Sequence, residues 1–223
     1  MEGSAVADDT TYYTQLAQAE AAARLGGTVE PSAVQVGDLQ PNAVRPYDWY
    51  LNGSPSALVR SNISRIDVGS DTAAITSGTM LSTAILLFAG DVVTNLTFTS
   101  GGTAGGSLTH WGFALYDTQA TPALIAQTAD QTSGAWAANA AKTLALATPY
   151  TVLTTGFYRA AVWIAASTVP TLMGRTAMTG AAAGVVTGQV VLAQTSGSGL
   201  TATAPATIAT PSTALQVPYV VVT

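Results

Sequence analysis

The chain has no cysteine and a single histidine, His110, and only 9% of its 223 residues are charged. The lack of cysteine excludes disulfides and thiolate metal sites and leaves the redox compartment open. One histidine leaves a metal ion little but oxygen ligands, so neither a metal nor any other cofactor is expected. Acid is missing from the second part of the chain. Residues 131–223 carry Lys142, Arg159 and Arg175 with no aspartate or glutamate, net +3, whereas residues 1–130 hold all 12 acids against four arginines, net −8. No cluster of basic residues could track a phosphate backbone, which argues against nucleic acid as a partner. Long apolar runs are lacking too. The most apolar stretch, "MLSTAILLFAGDVV", is broken by Ser82, Thr83, Gly90 and Asp91 and is too short and polar to span a bilayer, so no membrane insertion is expected. The opening "MEGSAVADD" has none of the basic-then-apolar pattern of a signal peptide. The expectation is a chain made in a cytoplasm and not exported by a cleaved signal.

What is present is small and neutral. Apolar residues make up 48% of the chain, much of it alanine and valine, and threonine, glycine and serine fill most of the remainder. An average domain is about 25% charged. Here solubility rests on hydroxyls and exposed backbone, or much of the surface is buried against other subunits. The second reading is favoured, and it predicts self-association, with a homotrimer expected.

Residues 1–60 differ in character from residues 61–223. "DDTTYYTQLAQAEAAARLGG" predicts a short helix over 10–25, capped by Asp9 or Thr10 and stopped by Gly26-Gly27. Its stripe of Tyr12, Leu16, Ala19 and Ala23 needs a surface to lie on, because four turns are marginal alone in water. Pro31, Pro41, Pro46 and Pro55 then deny the chain a long helix or a central strand. A flexible linker has little use for Trp49 beside Tyr47 and Tyr50, so residues 1–60 read as an attachment arm with contacts at Tyr12, Leu16, Tyr47, Trp49 and Tyr50.

From residue 61 to 223 the pattern is β. The candidate strands are "NISRIDV", "MLSTAILLF", "DVVTNLTFT", "LTHWGFALYD", "ALIAQT", "KTLALA", "FYRAAVWIAA", "GQVVLAQ" and "ALQVPYVVVT", with turn chemistry between them. About 8–9 short strands without helical periodicity predict an all-β domain, a jelly-roll-like β-sandwich. Runs such as "AILLF" do not alternate, so some strands should be covered on both faces.

On a strand, residues of one parity share a face. Trp111, Phe113 and Leu115 form an apolar row suited to a sandwich core, and His110 falls on the opposite face with Gly112, Ala114 and Tyr116. A hydrolytic triad also needs a nucleophile and an orienting acid, and no signature supplies them; "GxSxG" is absent. The acids of the β region, Asp67, Asp71, Asp91, Asp117 and Asp130, sit at turns or strand ends, where aspartate serves turn geometry rather than glycoside hydrolysis or metal binding. "SGGTAGGS" resembles a phosphate loop only in its glycines and reads as a flexible connection. Asn52, Asn62 and Asn95 match the glycosylation acceptor pattern, which carries little weight without a secretion signal. Trp111 and Trp163 lie in apolar strands and are expected in the core. Trp136, in "TSGAWAANAA", lies in a connecting segment and is the ring expected to be exposed, a candidate glycan contact.

Residues 110–164 carry a "GFALYD" strand, then "LIAQTADQ", a Trp-bearing "AWAAN", and "TPYTVLTTGFY" leading into an apolar strand. This segment resembles a module in virion proteins of tailed bacteriophages that infect actinobacteria. The resemblance covers about a quarter of the chain firmly and implies a β-sandwich surface domain of a head or tail, carrying over no functional residues. The expectation is a non-enzymatic virion structural protein, a capsid-decorating or head-fibre protein whose arm grips the major capsid protein or another virion protein. The alternative is a tail-attached carbohydrate-binding module for host surface glycans.

Overall fold

The computed structural model describes residues 58–223. The helix expected over 10–25, the proline-rich arm and the contacts at Tyr12, Leu16, Tyr47, Trp49 and Tyr50 lie outside the described residues.

The first strands are β1 (Arg60–Ser61), β2 (Ser70–Thr72), β3 (Thr79–Leu87), β4 (Val92–Thr99) and β5 (Gly106–Tyr116). Next come β6 (Leu124–Gln127), β7 (Ala141–Thr151), β8 (Gly156–Thr168) and β9 (Leu172–Thr176). A five-residue helix, α1 (Thr179–Ala183), precedes β10 (Ala193–Ser196), β11 (Ser212–Thr213), β12 (Gln216–Pro218) and β13 (Val220–Val222). All pairings are antiparallel. One sheet runs β1-β13-β4-β7, a second β11-β10-β3-β8-β5-β6, and a small third β12-β9-β2.

Taking β1, β3, β4, β5, β6, β7, β8 and β13 as eight strands in chain order, the first sheet holds the first, eighth, third and sixth. The second holds the second, seventh, fourth and fifth. That is the jelly-roll order of two interlocked Greek keys, with β10 and β11 added beyond β3. The fold is all-β, as the turn-punctuated apolar runs predict.

Side-chain parity places the core. Trp111, Phe113 and Leu115 of β5 point between the sheets, meeting Leu81, Ile85 and Leu87 of β3, Tyr158, Val162 and Ile164 of β8, Leu96 and Phe98 of β4, and Val220 and Val222 of β13. The other parity is buried as well. Met80, Ala114, Tyr116, Ala161 and Trp163 form a second cluster under Ala204 and Ile208, so the central strands are covered on both faces. The covering segment is held by two aromatic tips: the Tyr116 hydroxyl donates to Pro205 O at 2.7 Å and the Trp163 indole to Thr201 O at 2.9 Å. Gly112 makes room for this arrangement, since a Cβ there would stand 2.5 Å from the Trp163 ring.

Three expectations change. "NISRIDV" is not a strand but a turn of 3-10 helix at Arg65–Asp67 between β1 and β2. The side chain of Asn62 replaces the ladder there, donating to Pro218 O and accepting from Val220 N, while Ile66 is left 77% exposed. "GQVVLAQ" enters the sheet only at Ala193. "ALQVPYVVVT" divides at Tyr219, because Pro218 ends β12 without a donor and the chain passes to another sheet as β13. The strands expected from the sequence do not include β9, which is short and interrupted by Gly174.

Candidate functional site

His110 lies beside a β-bulge between Leu108 and His110 in the β5–β8 ladder, opposite Ala165. Its Nδ1 stands 2.6 Å from Asp130 Oδ2, with the two side chains 32% and 16% exposed. The pairing comes from the hairpin. β5 and β6 pair Ala114 with Gln127 and Leu115 with Ala126, and past β6 the chain slips by one residue, Gln131 N donating to Trp111 O, which puts Asp130 on the His110 face. The second oxygen of Asp130 is buried without a donor. In the neutral imidazole, a proton on Nδ1 shared with the carboxylate leaves the Nε2 lone pair facing away from it. No hydroxyl among the described residues bonds to His110, so the pair has a base and an orienting acid with no nucleophile joined to it. Asp130 is the residue that sequence reasoning did not connect to the histidine.

The other acids are engaged in local structure. Asp91 takes a bidentate pair from Arg60 at 2.9 and 3.1 Å and caps Phe88 N. Asp117 accepts from Gln119 N and Ala123 N across the turn after β5. Asp71 lies within β2, where its carboxylate accepts from Gly102 N and Thr171 Oγ1. Among the described residues no three metal-ligating side chains gather. The amide of Asn62 is consumed by its bonds to Thr83 and Pro218, and that of Asn95 by Thr94 and Thr223.

Trp136 corrects the sequence reading. It is fully buried, not exposed. Its ring lies 5.0 Å from that of Trp111 and 5.8 Å from that of Phe113, and its Nε1 donates to Ala140 O at 2.9 Å. The cause is a non-local closure. The connecting segment folds back onto the glycine-rich loop after β4: Gly105 N donates to Trp136 O, Ser100 Oγ to Ala137 O, and Asn139 N to Gly101 O. The indole thereby plugs one end of the sandwich and has no face open to a sugar. The loop expected to be a flexible connection is likewise tied down, with Gly101 N donating to Thr171 O and Thr103 N to Thr171 Oγ1.

The surface holds the remaining distinctive features. Residues 58–223 contain five cations (Arg60, Arg65, Lys142, Arg159, Arg175) and five acids (Asp67, Asp71, Asp91, Asp117, Asp130), so the folded domain is formally neutral and the net charge of −5 resides in residues 1–57. Even the cations are partly withdrawn. Lys142 sits 6.0 Å over the Trp111 ring. Arg159, 7% exposed, donates to Val191 O at 2.6 Å and has no carboxylate partner among the described residues; burial pulls its guanidinium below its ordinary value. Large apolar side chains stand in the open at Leu153, Phe157, Met178, Val185 and Val186. Among the described residues, no helix is long and apolar enough to cross a membrane. No protein-family model matches the chain, and no curated protein is significantly similar to it.

Proposed function

We propose that this chain is a non-enzymatic structural protein of a tailed-phage virion. In this reading residues 1–60 attach it to the capsid or another virion protein, and the jelly roll projects as a decoration or short head fibre. The observation that carries the reading is the partition of charge: a neutral domain with exposed apolar side chains joined to a segment holding the whole net charge. Such a domain is built for contact with other protein surfaces rather than for a charged ligand. The likeness of residues 110–164 to virion modules supplies the setting, and the jelly roll is compatible with it. The glycan-binding alternative loses its named contact, because the Trp136 ring is packed on both neighbours in the core.

The test is reconstitution on particles that lack this protein. The full chain should decorate them. A truncation beginning at Leu58, which keeps β1 and the Arg60–Asp91 pair, should melt cooperatively yet fail to bind. Full occupancy by the truncated chain would overturn the assignment of attachment to residues 1–60. Failure of the full chain to bind would overturn the virion role itself.

A further inference from the structure

Between β9 and β10 the chain makes an excursion, residues 177–192, that carries the densest group of exposed apolar side chains. Met178 is 82% exposed, Val185 76%, Val186 64% and Leu192 37%. An apolar loop of this kind is often loose, but this one is fastened at each step. Gln189 Oε1 accepts from the backbone of Val185 at 2.6 Å and of Val186 at 3.3 Å, so one side chain holds the two most prominent valines. Leu192 N donates to Ala182 O and Ala182 N to Met178 O, with Ala182 itself fully buried. The Arg159 guanidinium grips Val191 O, and Thr83 Oγ1 and Ala84 N both donate to Leu192 O. Gly184 and Gly188, at φ +104° and +90°, turn the backbone where a side chain would be strained. The backbone is satisfied inwardly while the side chains face out.

The chemistry of this knob selects its partner. After Arg175 the remaining 48 residues, through Thr223, contain no charged side chain and no histidine. A lipid headgroup, a nucleic acid or a charged peptide would lose water from its charges and find nothing here to pair with. An uncharged apolar surface does suit another like itself, and copies of it can meet without the like-charge repulsion that a patch of one sign would bring. The neutrality of residues 58–223 removes long-range repulsion between two such domains. A fastened loop also loses little freedom on contact, and methionine adapts its shape to a facing surface.

We infer that the 177–192 excursion is the contact between copies of this chain, with Val185, Val186 and Met178 at its centre and Gln189 holding it in shape. This deepens the self-association expected of the protein but does not rest on the virion setting, and no particle enters its test.

The test is sedimentation equilibrium of the full chain from about 1 to 100 μM, with melting followed by circular dichroism. The wild type should associate, and once about 0.15 M salt screens the acidic residues 1–57, raising salt to 1 M should change its association constant by no more than about twofold, since no charges cross the contact. Val185→Asp should weaken association by about a hundredfold or more, because it places an unpaired carboxylate in an apolar contact. Being exposed, it should leave the melting temperature nearly unchanged. Should Val185→Asp misfold, Met178→Ser at the most exposed position serves instead, with a loss of about tenfold expected. Gln189→Ala should also weaken association without removing any apolar surface. Leu153→Asp, equally exposed on the turn between β7 and β8, should associate as the wild type does. A wild type that stays monomeric at 100 μM would overturn the inference. So would unchanged association in both excursion variants, or dissociation caused by Leu153→Asp and not by Val185→Asp.

Discussion

Replacing Trp136 by alanine tests how the sandwich is closed. The indole is fully buried, tilted against Trp111 at 5.0 Å and edge-on to Phe113 at 5.8 Å, in a cluster that continues through Phe113 to Phe98 at 4.8 Å. Truncating a buried tryptophan to alanine costs about 3–5 kcal/mol, from lost transfer energy and from the cavity left behind. Two features fix the position within that range. Each lost ring pair adds roughly 0.5–1.5 kcal/mol beyond area alone. Against that, the carbonyl of Ala140 keeps a donor in the backbone N–H of Ser100 at 3.1 Å, so no acceptor is orphaned. A loss of about 4 kcal/mol is expected, a fall of roughly 8–16 °C in melting temperature for a domain of this size. Urea unfolding monitored by far-ultraviolet circular dichroism reads it, provided the slope with denaturant stays that of the wild type. Trp136→Phe, which keeps most of the ring contact, should lose less than half as much. A loss below about 1.5 kcal/mol for Trp136→Ala would mean that the connecting segment lies open and that the ring is available at the surface after all.

Two further predictions use the same assay. His110→Ala should cost about 1–2 kcal/mol, because it strands a largely buried Asp130 whose other oxygen already lacks a donor, whereas Trp111→Ala in the core should cost about 3–5 kcal/mol. Equal and severe losses from both would refute the assignment of faces on β5. The buried Tyr116 phenol is raised above its ordinary value by desolvation, so the folded state keeps a proton that the unfolded chain sheds near pH 10. Its contribution is fully present below about pH 10 and is lost as pH rises further, at up to about 1.4 kcal/mol per pH unit. Tyr116→Phe should flatten that alkaline decline, and an identical decline in the variant would refute the linkage.

What could be read in the sequence, and what could not, divides by the range of the interaction. The face of Trp111, Phe113 and Leu115 was legible because side chains alternate along any strand, whatever it pairs with. The double cover of the central strands was legible in the unbroken "AILLF", since a half-exposed strand would carry polar residues at every second place. The His110–Asp130 pair was not, because it depends on a one-residue slip where the chain runs past β6 beside β5. Trp136 misled for a related reason. Its neighbours are small and polar, as in any surface connection, and its burial comes from bonds to Ser100, Gly101 and Gly105, some thirty-five residues away in sequence. "NISRIDV" has the β-branched residues of a strand, Ile63, Ile66 and Val68, but the Asn62 side chain takes the donors and acceptors that a ladder would have used.

The partition of charge separates two questions that a single binding experiment would merge. Residues 58–223 are neutral with few ion pairs, so contacts made by the jelly roll draw on apolar burial and backbone bonding and should respond weakly to salt. Residues 1–57 hold two arginines against seven acids, net −5, so any association they drive is steered by charge and should weaken as salt rises. Salt therefore distinguishes the two ends without a mutation. If particle attachment falls steeply between about 50 mM and 500 mM salt while self-association holds, attachment belongs to the acidic segment and assembly to the domain. If both fall together, the domain's few charges, chiefly Arg65, Lys142 and Arg175, must take part in its contacts, and the apolar account of its surface fails. Attachment that is indifferent to salt would instead transfer the gripping role to the uncharged side chains of the arm, Tyr12, Leu16, Tyr47, Trp49 and Tyr50.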